Sequence, residues 1–128
     1  MRPYVGPIER QTLANRDFRR VLFTGRHAQL VLMSLRPGEE IGREVHAAVD
    51  QFFRVEAGTA RFLLAGQPPR DVRAGGAVVV PAKTRHNVVN PSKTKPLKLY
   101  TLYAPPNHPP GTVQRTRDDA VAAEASHA

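Results

Sequence analysis

Prolines and glycines punctuate this chain so closely that long helices have little room. Twelve Pro and nine Gly stand among its 128 residues. Proline removes a backbone donor and glycine weakens a helix interior, so each tends to end a regular element. Between these breakers lie short runs rich in apolar and β-branched residues, at 21–25, 29–35, 42–46, 51–56, 60–64, 70–73, 77–80, 86–89 and 97–103. Each has the composition of a strand. The turns between them are written as Pro37-Gly38, Ala57-Gly58-Thr59, the 66–69 loop, Gly75-Gly76, Pro81, Pro91 and Pro105-Pro106. Nine short strands with turn signals at this spacing predict an all-β sandwich or barrel.

Only one helix is expected. Thr116 and Asp119 form a capping-box pattern ahead of the Ala-rich stretch 120–125. Residues 1–20, with Pro3 and Pro7, read as an extended arm with at most an edge strand. The organisation predicted is an N-terminal arm or edge strand over 1–25, one β-barrel over 26–116, and a short helix with a tail over 117–128, frayed across 124–128.

Composition narrows the function classes. There is no cysteine, which removes disulfides, thiolate metal sites and cysteine nucleophiles together. No apolar run approaches the ~20 residues a membrane helix needs, and the first residues lack the apolar stretch of a secretion signal. The expected setting is cytoplasmic, with no membrane partner. The formal charge is +8, and 15 of the 19 basic residues are Arg, but they are scattered. The only adjacent pair is Arg19-Arg20, with no basic helix or aromatic ladder beside it, so no nucleic-acid partner is expected.

The informative residues are polar ones on strands that should be buried. Glu44 and His46 are two apart and share a face of the 42–46 strand. Gln51 opens the next strand, and His86, Val88 and Asn90 share a face of another. If these faces line the interior, Glu44, His46, Gln51 and His86 converge as two imidazoles, a carboxylate and a carboxamide. Such a nitrogen-and-oxygen set suits one divalent transition metal ion, Fe, Mn, Ni, Co, Cu or Zn. The alternative is a metal-free polar network of the same four side chains, which must then satisfy one another. Asn90 reads as a turn residue rather than a ligand, and Asp50 should face away from Gln51. Arg43 and Arg54 should point outward. If Lys98 faces solvent, Leu99, Thr101 and Tyr103 point inward. His108, in a Pro-rich loop, is assigned to the surface.

Two stretches resemble the paired motifs of the cupin superfamily. The first reads Gly38, five residues, Glu44-Val45-His46, four residues, Gln51, six residues, Gly58. The family pattern is Gly, five residues, His-x-His, three or four residues, Glu, six residues, Gly. The second reads Gly75, five residues, Pro81-Ala82-Lys83, two residues, His86, three residues, Asn90. The family has Pro-x-Gly there, with the same gaps. The resemblance spans 19–116, and the stretches 97–106 and 108–112 are similar to small single-domain bacterial cupins of a sugar-phosphate-isomerase-like branch.

The resemblance implies a conical barrel, a jelly-roll with one divalent metal inside, a pocket for one small-molecule ligand, and a homodimer packed through the N-terminal strand. Three positions depart from the pattern. Glu44 replaces a His, Gln51 replaces the Glu, and Lys83 replaces a Gly. The first two belong together, because the single negative charge of the ligand set moves from one slot to another and is kept. On this reading Glu44, His46, Gln51 and His86 hold the metal, although Gln51 is a poorer donor than Glu and could instead orient a ligand from behind. The function implied is a metal-dependent enzyme on a small oxygenated molecule, isomerase- or epimerase-like or dioxygenase-like. A non-catalytic barrel that binds a sugar or sugar acid is the alternative. No side chain is assigned as a separate general base.

Overall fold

In the computed structural model, residues 1–126 are described. They form two facing β-sheets flanked by two helices. The strands are β1 (Arg19–Thr24), β2 (Gln29–Leu35), β3 (Asp50–Ala57), β4 (Thr59–Leu64), β5 (Arg70–Arg73), β6 (Ala77–Val80), β7 (His86–Val89), β8 (Leu97–Ala104) and β9 (Val113–Gln114). The larger sheet has the order β6-β3-β8-β2-β1-β9 and the smaller β5-β4-β7, with every pairing antiparallel. This is the open, two-sheet form of the jelly-roll barrel, so the all-β expectation holds.

Period-two alternation builds the core. On β2, Val31, Met33 and Leu35 point inward. Phe53 and Val55 do so on β3, and Leu97, Leu99, Thr101 and Tyr103 on β8. The smaller sheet answers with Ala60, Phe62 and Val88, and the Phe53 and Phe62 rings meet edge to face at 5.2 Å. The inward parity expected for Leu99, Thr101 and Tyr103 is therefore present. Asn90 is a clamp rather than a ligand. Its Nδ2 lies within hydrogen-bonding distance of the Leu35, Arg36 and Lys95 carbonyls, and its Oδ1 accepts from the Ser92 amide.

Two local expectations are corrected. Residues 1–20 are not wholly extended, because α1 (Ile8–Ala14) is a helix. It starts after Pro7 without a side-chain cap and carries Glu9 in its first turn, where a carboxylate interacts favourably with the helix dipole. Thr12 is fully buried, and its hydroxyl donates to the Ile8 carbonyl. The 42–46 stretch does not form a strand. Residues 40–44 touch the free edge of β7 through two isolated antiparallel bridges, Glu40 to Val89 and Glu44 to His86. Gly42, at φ +114, breaks the run, and its N–H donates to the Asn87 side chain instead of to a ladder partner.

The predicted C-terminal helix is present as α2 (Arg117–Ser126). Its capping box closes in both directions, from the Asp119 N–H to Thr116 Oγ1 and from the Thr116 N–H to Asp119 Oδ2. Within the stretch expected to fray, 124–126 continue this helix, and 127–128 lie outside the described residues. No helix among the described residues is long and apolar enough to cross a membrane.

Candidate metal and ligand site

The four residues read as ligands come from three backbone segments that the sheets bring together. The Glu44 and His86 backbones are directly paired, which sets their side chains on one side. His86 is only 4% exposed, and its ring centroid lies 5.6 Å from that of His46. Gln51 is placed by β3, whose inward positions continue through Phe53 and Val55, and it stands opposite Tyr103 of β8. The turn between β6 and β7 is tied to the same region. The Lys83 N–H donates to the His46 carbonyl at 2.7 Å, and the Ala82 N–H donates to Asp50 Oδ1 at 2.8 Å. Asp50 thus faces away from Gln51, as expected.

The polar atoms are unevenly satisfied. Glu44 Oε2 lies 3.0 Å from His46 Nε2, yet that nitrogen is buried and lacks an aligned hydrogen-bond partner. Gln51 Nε2 donates to Thr101 Oγ1, which in turn donates to the Phe52 carbonyl, while Gln51 Oε1 is buried with no partner. His86 Nδ1 lies 2.9 Å from the Thr84 carbonyl. A carbonyl only accepts, so that nitrogen carries the proton and a neutral ring keeps its lone pair on Nε2. Among the described residues, no three or more His, Cys, Asp or Glu side chains form a ready metal-holding group.

Three further residues complete the interior, and sequence reasoning undervalued two of them. Tyr103 is buried and edge-on to His46 at 5.9 Å. Burial, assisted by the Glu44 charge, pushes its phenol well above the ordinary range, although Arg19 and Gln51 pull the other way. His108 is half-buried rather than free on the surface. Its Nε2 lies 3.2 Å from the Tyr103 hydroxyl, its backbone N–H donates to Gln29 Oε1, and its ring stacks edge-on to Tyr103 at 5.1 Å. The buried Gln29 amide pulls the Pro-rich loop inward. Arg19, which looks like a scattered surface charge, is 3% exposed. It lies two residues before inward-facing Val21 on β1, and that parity was the available signal.

Burial raises the Glu44 carboxyl, but the adjacent His46, with Arg19 and His86, outweighs it and holds the pKa below its ordinary value. Arg43 is exposed, though it borders the cavity beside Glu44, and Arg54 is engaged by Glu56 at 2.9 Å. The interior thus carries one ionised carboxylate, one guanidinium, and imidazole, amide and hydroxyl groups between them.

Residues 31–103 match the family described as the Cupin domain. The chain is 51% identical to the uncharacterised protein YrkC of Bacillus subtilis (strain 168), over 96% of this chain and 68% of that one. The crystal structure of BH2720 from Bacillus halodurans is 46% identical and superposes with a TM-score of 0.90, covering 94% of this chain and 95% of that one. KdgF from Halomonas sp. shares the fold at 22% identity, with a TM-score of 0.63 over 70% of this chain and 80% of that one.

Proposed function

This chain belongs to the cupin family, and from that premise we propose that its interior binds one divalent transition metal ion and acts on a small oxygenated molecule held beside it. Glu44, His46 and His86 are the charged and imidazole donors, and Gln51 Oε1 is the fourth. The observation that carries this reading is the buried, unpartnered Gln51 Oε1, together with the buried His46 Nε2, which meets Glu44 Oε2 at 3.0 Å without hydrogen-bond alignment. Leaving each unmet costs about 1–3 kcal/mol, and a cation between them and Glu44 removes that cost. The donor chemistry fits. His86 offers Nε2 because Thr84 holds its other nitrogen, and one carboxylate gives the set a single negative charge.

A bound divalent ion supplies a Lewis acid for a carbonyl or, where redox-active, electron transfer to dioxygen. The chain's own residues supply the rest. Thr101 fixes the Gln51 amide so that its oxygen faces inward. The Tyr103 phenol stays protonated at neutral pH and presents a donor to a ligand oxygen. His108 stays neutral beside it. The two sheets exclude water from these groups, which strengthens each interaction.

A second reading is a metal-free barrel that binds its ligand without turnover. It is favoured by the carboxamide at position 51 and by the lack of a ready three-ligand group among the described residues. Elemental analysis by plasma mass spectrometry of wild type and Glu44→Ala separates the two. Near-stoichiometric metal in wild type that is lost in the variant supports the metal reading. No metal, even after reconstitution, moves the function to the binding barrel.

A further inference from the structure

Arg19 is the buried group that the metal reading leaves unexplained. A guanidinium keeps its charge at every accessible pH, and buried charges ordinarily have a charged partner. No carboxylate among the described residues lies within ion-pair distance of Arg19, although Glu44 is near enough to feel its charge. Its Nη1 donates to Gln114 Oε1 at 2.8 Å, and the Gln114 backbone pairs with its own across β1 and β9. Its Nε is buried with no partner. Gln114 thus orients the side chain without neutralising it.

Two cavities border Arg19. One, of about 120 Å³, is lined by Arg19, Gly42 and Glu44 and roofed by Ala120 of α2. The other, of about 170 Å³, is lined by Arg19, His108 and Gln114. A liquid water takes about 30 Å³, so each cavity holds a few waters or one small organic group.

We propose that Arg19 is the anion-binding residue of this barrel and that its ligand is a small carboxylic acid, whose carboxylate sits on the free Nε edge of the guanidinium. This rests on reading the interior as a small-molecule site. Nε belongs to the side-on edge that a planar carboxylate engages with two parallel hydrogen bonds. Charge decides against phosphate. Arg19, Arg43 and Arg117 line the first cavity against Glu44 and Glu124, a surplus of one positive charge that a monocarboxylate balances, whereas a phosphate monoester of about −1.5 to −2 leaves excess negative charge. The other end of such an acid, a hydroxyl or carbonyl oxygen, faces Glu44 in the first cavity or His108 in the second.

The test is calorimetric titration of glycolate into chelator-dialysed, metal-free protein, with divalent metal uptake by wild type measured alongside. Wild type is expected to bind one glycolate, and Arg19→Gln to bind it at least roughly tenfold more weakly, the loss of a charge-assisted hydrogen bond. Circular dichroism checks that the variant folds. If it does not, Arg19→Lys takes its place, keeping the charge but not the fork, with the same weakening expected. Equal affinity in the variant overturns the proposal, as does no glycolate binding by wild type that takes up metal. Tighter binding of inorganic phosphate than of glycolate overturns the ligand class. Glycolate binding without metal uptake leaves Arg19 in its role and removes only the metal.

Discussion

Glu44 and His86 face each other as a reciprocal hydrogen-bonded pair. The Glu44 N–H donates to the His86 carbonyl at 2.8 Å, and the His86 N–H donates to the Glu44 carbonyl at 2.9 Å. This bridge fixes both side chains on one side at close range. It joins the two motif stretches that lie far apart in sequence, and it does so without a regular strand. Gly42 interrupts the pairing between this bridge and the one from Glu40 to Val89.

Replacing Gln51 with Glu tests whether position 51 contributes a donor to the metal. The variant adds a second carboxylate where an unpartnered oxygen already points inward. Divalent metal affinity is expected to rise on the order of tenfold, read by competition with a chromogenic chelator. Equal or weaker affinity would place Gln51 outside the ligand set.

Lys83 occupies the slot where the family pattern has Gly, and it keeps the glycine conformation, at φ +70. A side chain in this region costs about 1 kcal/mol. Lys83→Gly should therefore raise the melting temperature by about 3 °C, with the N–H hydrogen bond donated to the His46 carbonyl kept. A lower melting temperature would mean that the lysine side chain contributes a contact that outweighs the backbone strain.

Gly58 makes the tight turn between β3 and β4 at φ +82, and a Cβ there would lie 2.6 Å from the Pro96 carbonyl oxygen. That neighbour is backbone and cannot swing away. Gly58→Ala should cost about 2 kcal/mol or more, measured as a fall in the urea midpoint at constant slope. A loss below ~0.5 kcal/mol would show that the turn relaxes.

The architecture was legible because alternation and turn chemistry agreed over most of the chain. Eight of the strand runs recur in the fold, and Leu99, Thr101 and Tyr103 point inward as parity required. Local pattern failed where long-range contacts decide. Position 44 pairs through a bridge too short to leave a strand pattern. Residues 8–14 lack a strong cap, but burial of Thr12 against the sheets supports the helix. Arg19 was missed because charge suggests surface. Its parity with Val21 outranks that expectation once Gln114 and the interior cavities accept the guanidinium. His108 was misplaced because nothing local announces that Gln29 reaches across to hold its loop.

His108 gives the pH prediction. Burial, with the Arg19 charge and His46 nearby, pulls its imidazole down to about 4 against the opposing pull of Glu44. In the unfolded chain it titrates near 6.5. Above that pH both states hold it neutral, and its contribution is fully present. As pH falls from about 6.5 towards 4, the unfolded state takes up a proton that the native state refuses, so stability declines, by up to one proton's worth of slope. Chemical denaturation midpoints for wild type and His108→Asn, measured from pH 7.5 to 4.5, isolate this group from the other titrating residues. The wild-type midpoint should fall more steeply than the variant's in that window. Parallel curves would mean that the imidazole protonates freely in the folded protein and does not stay neutral beside Tyr103.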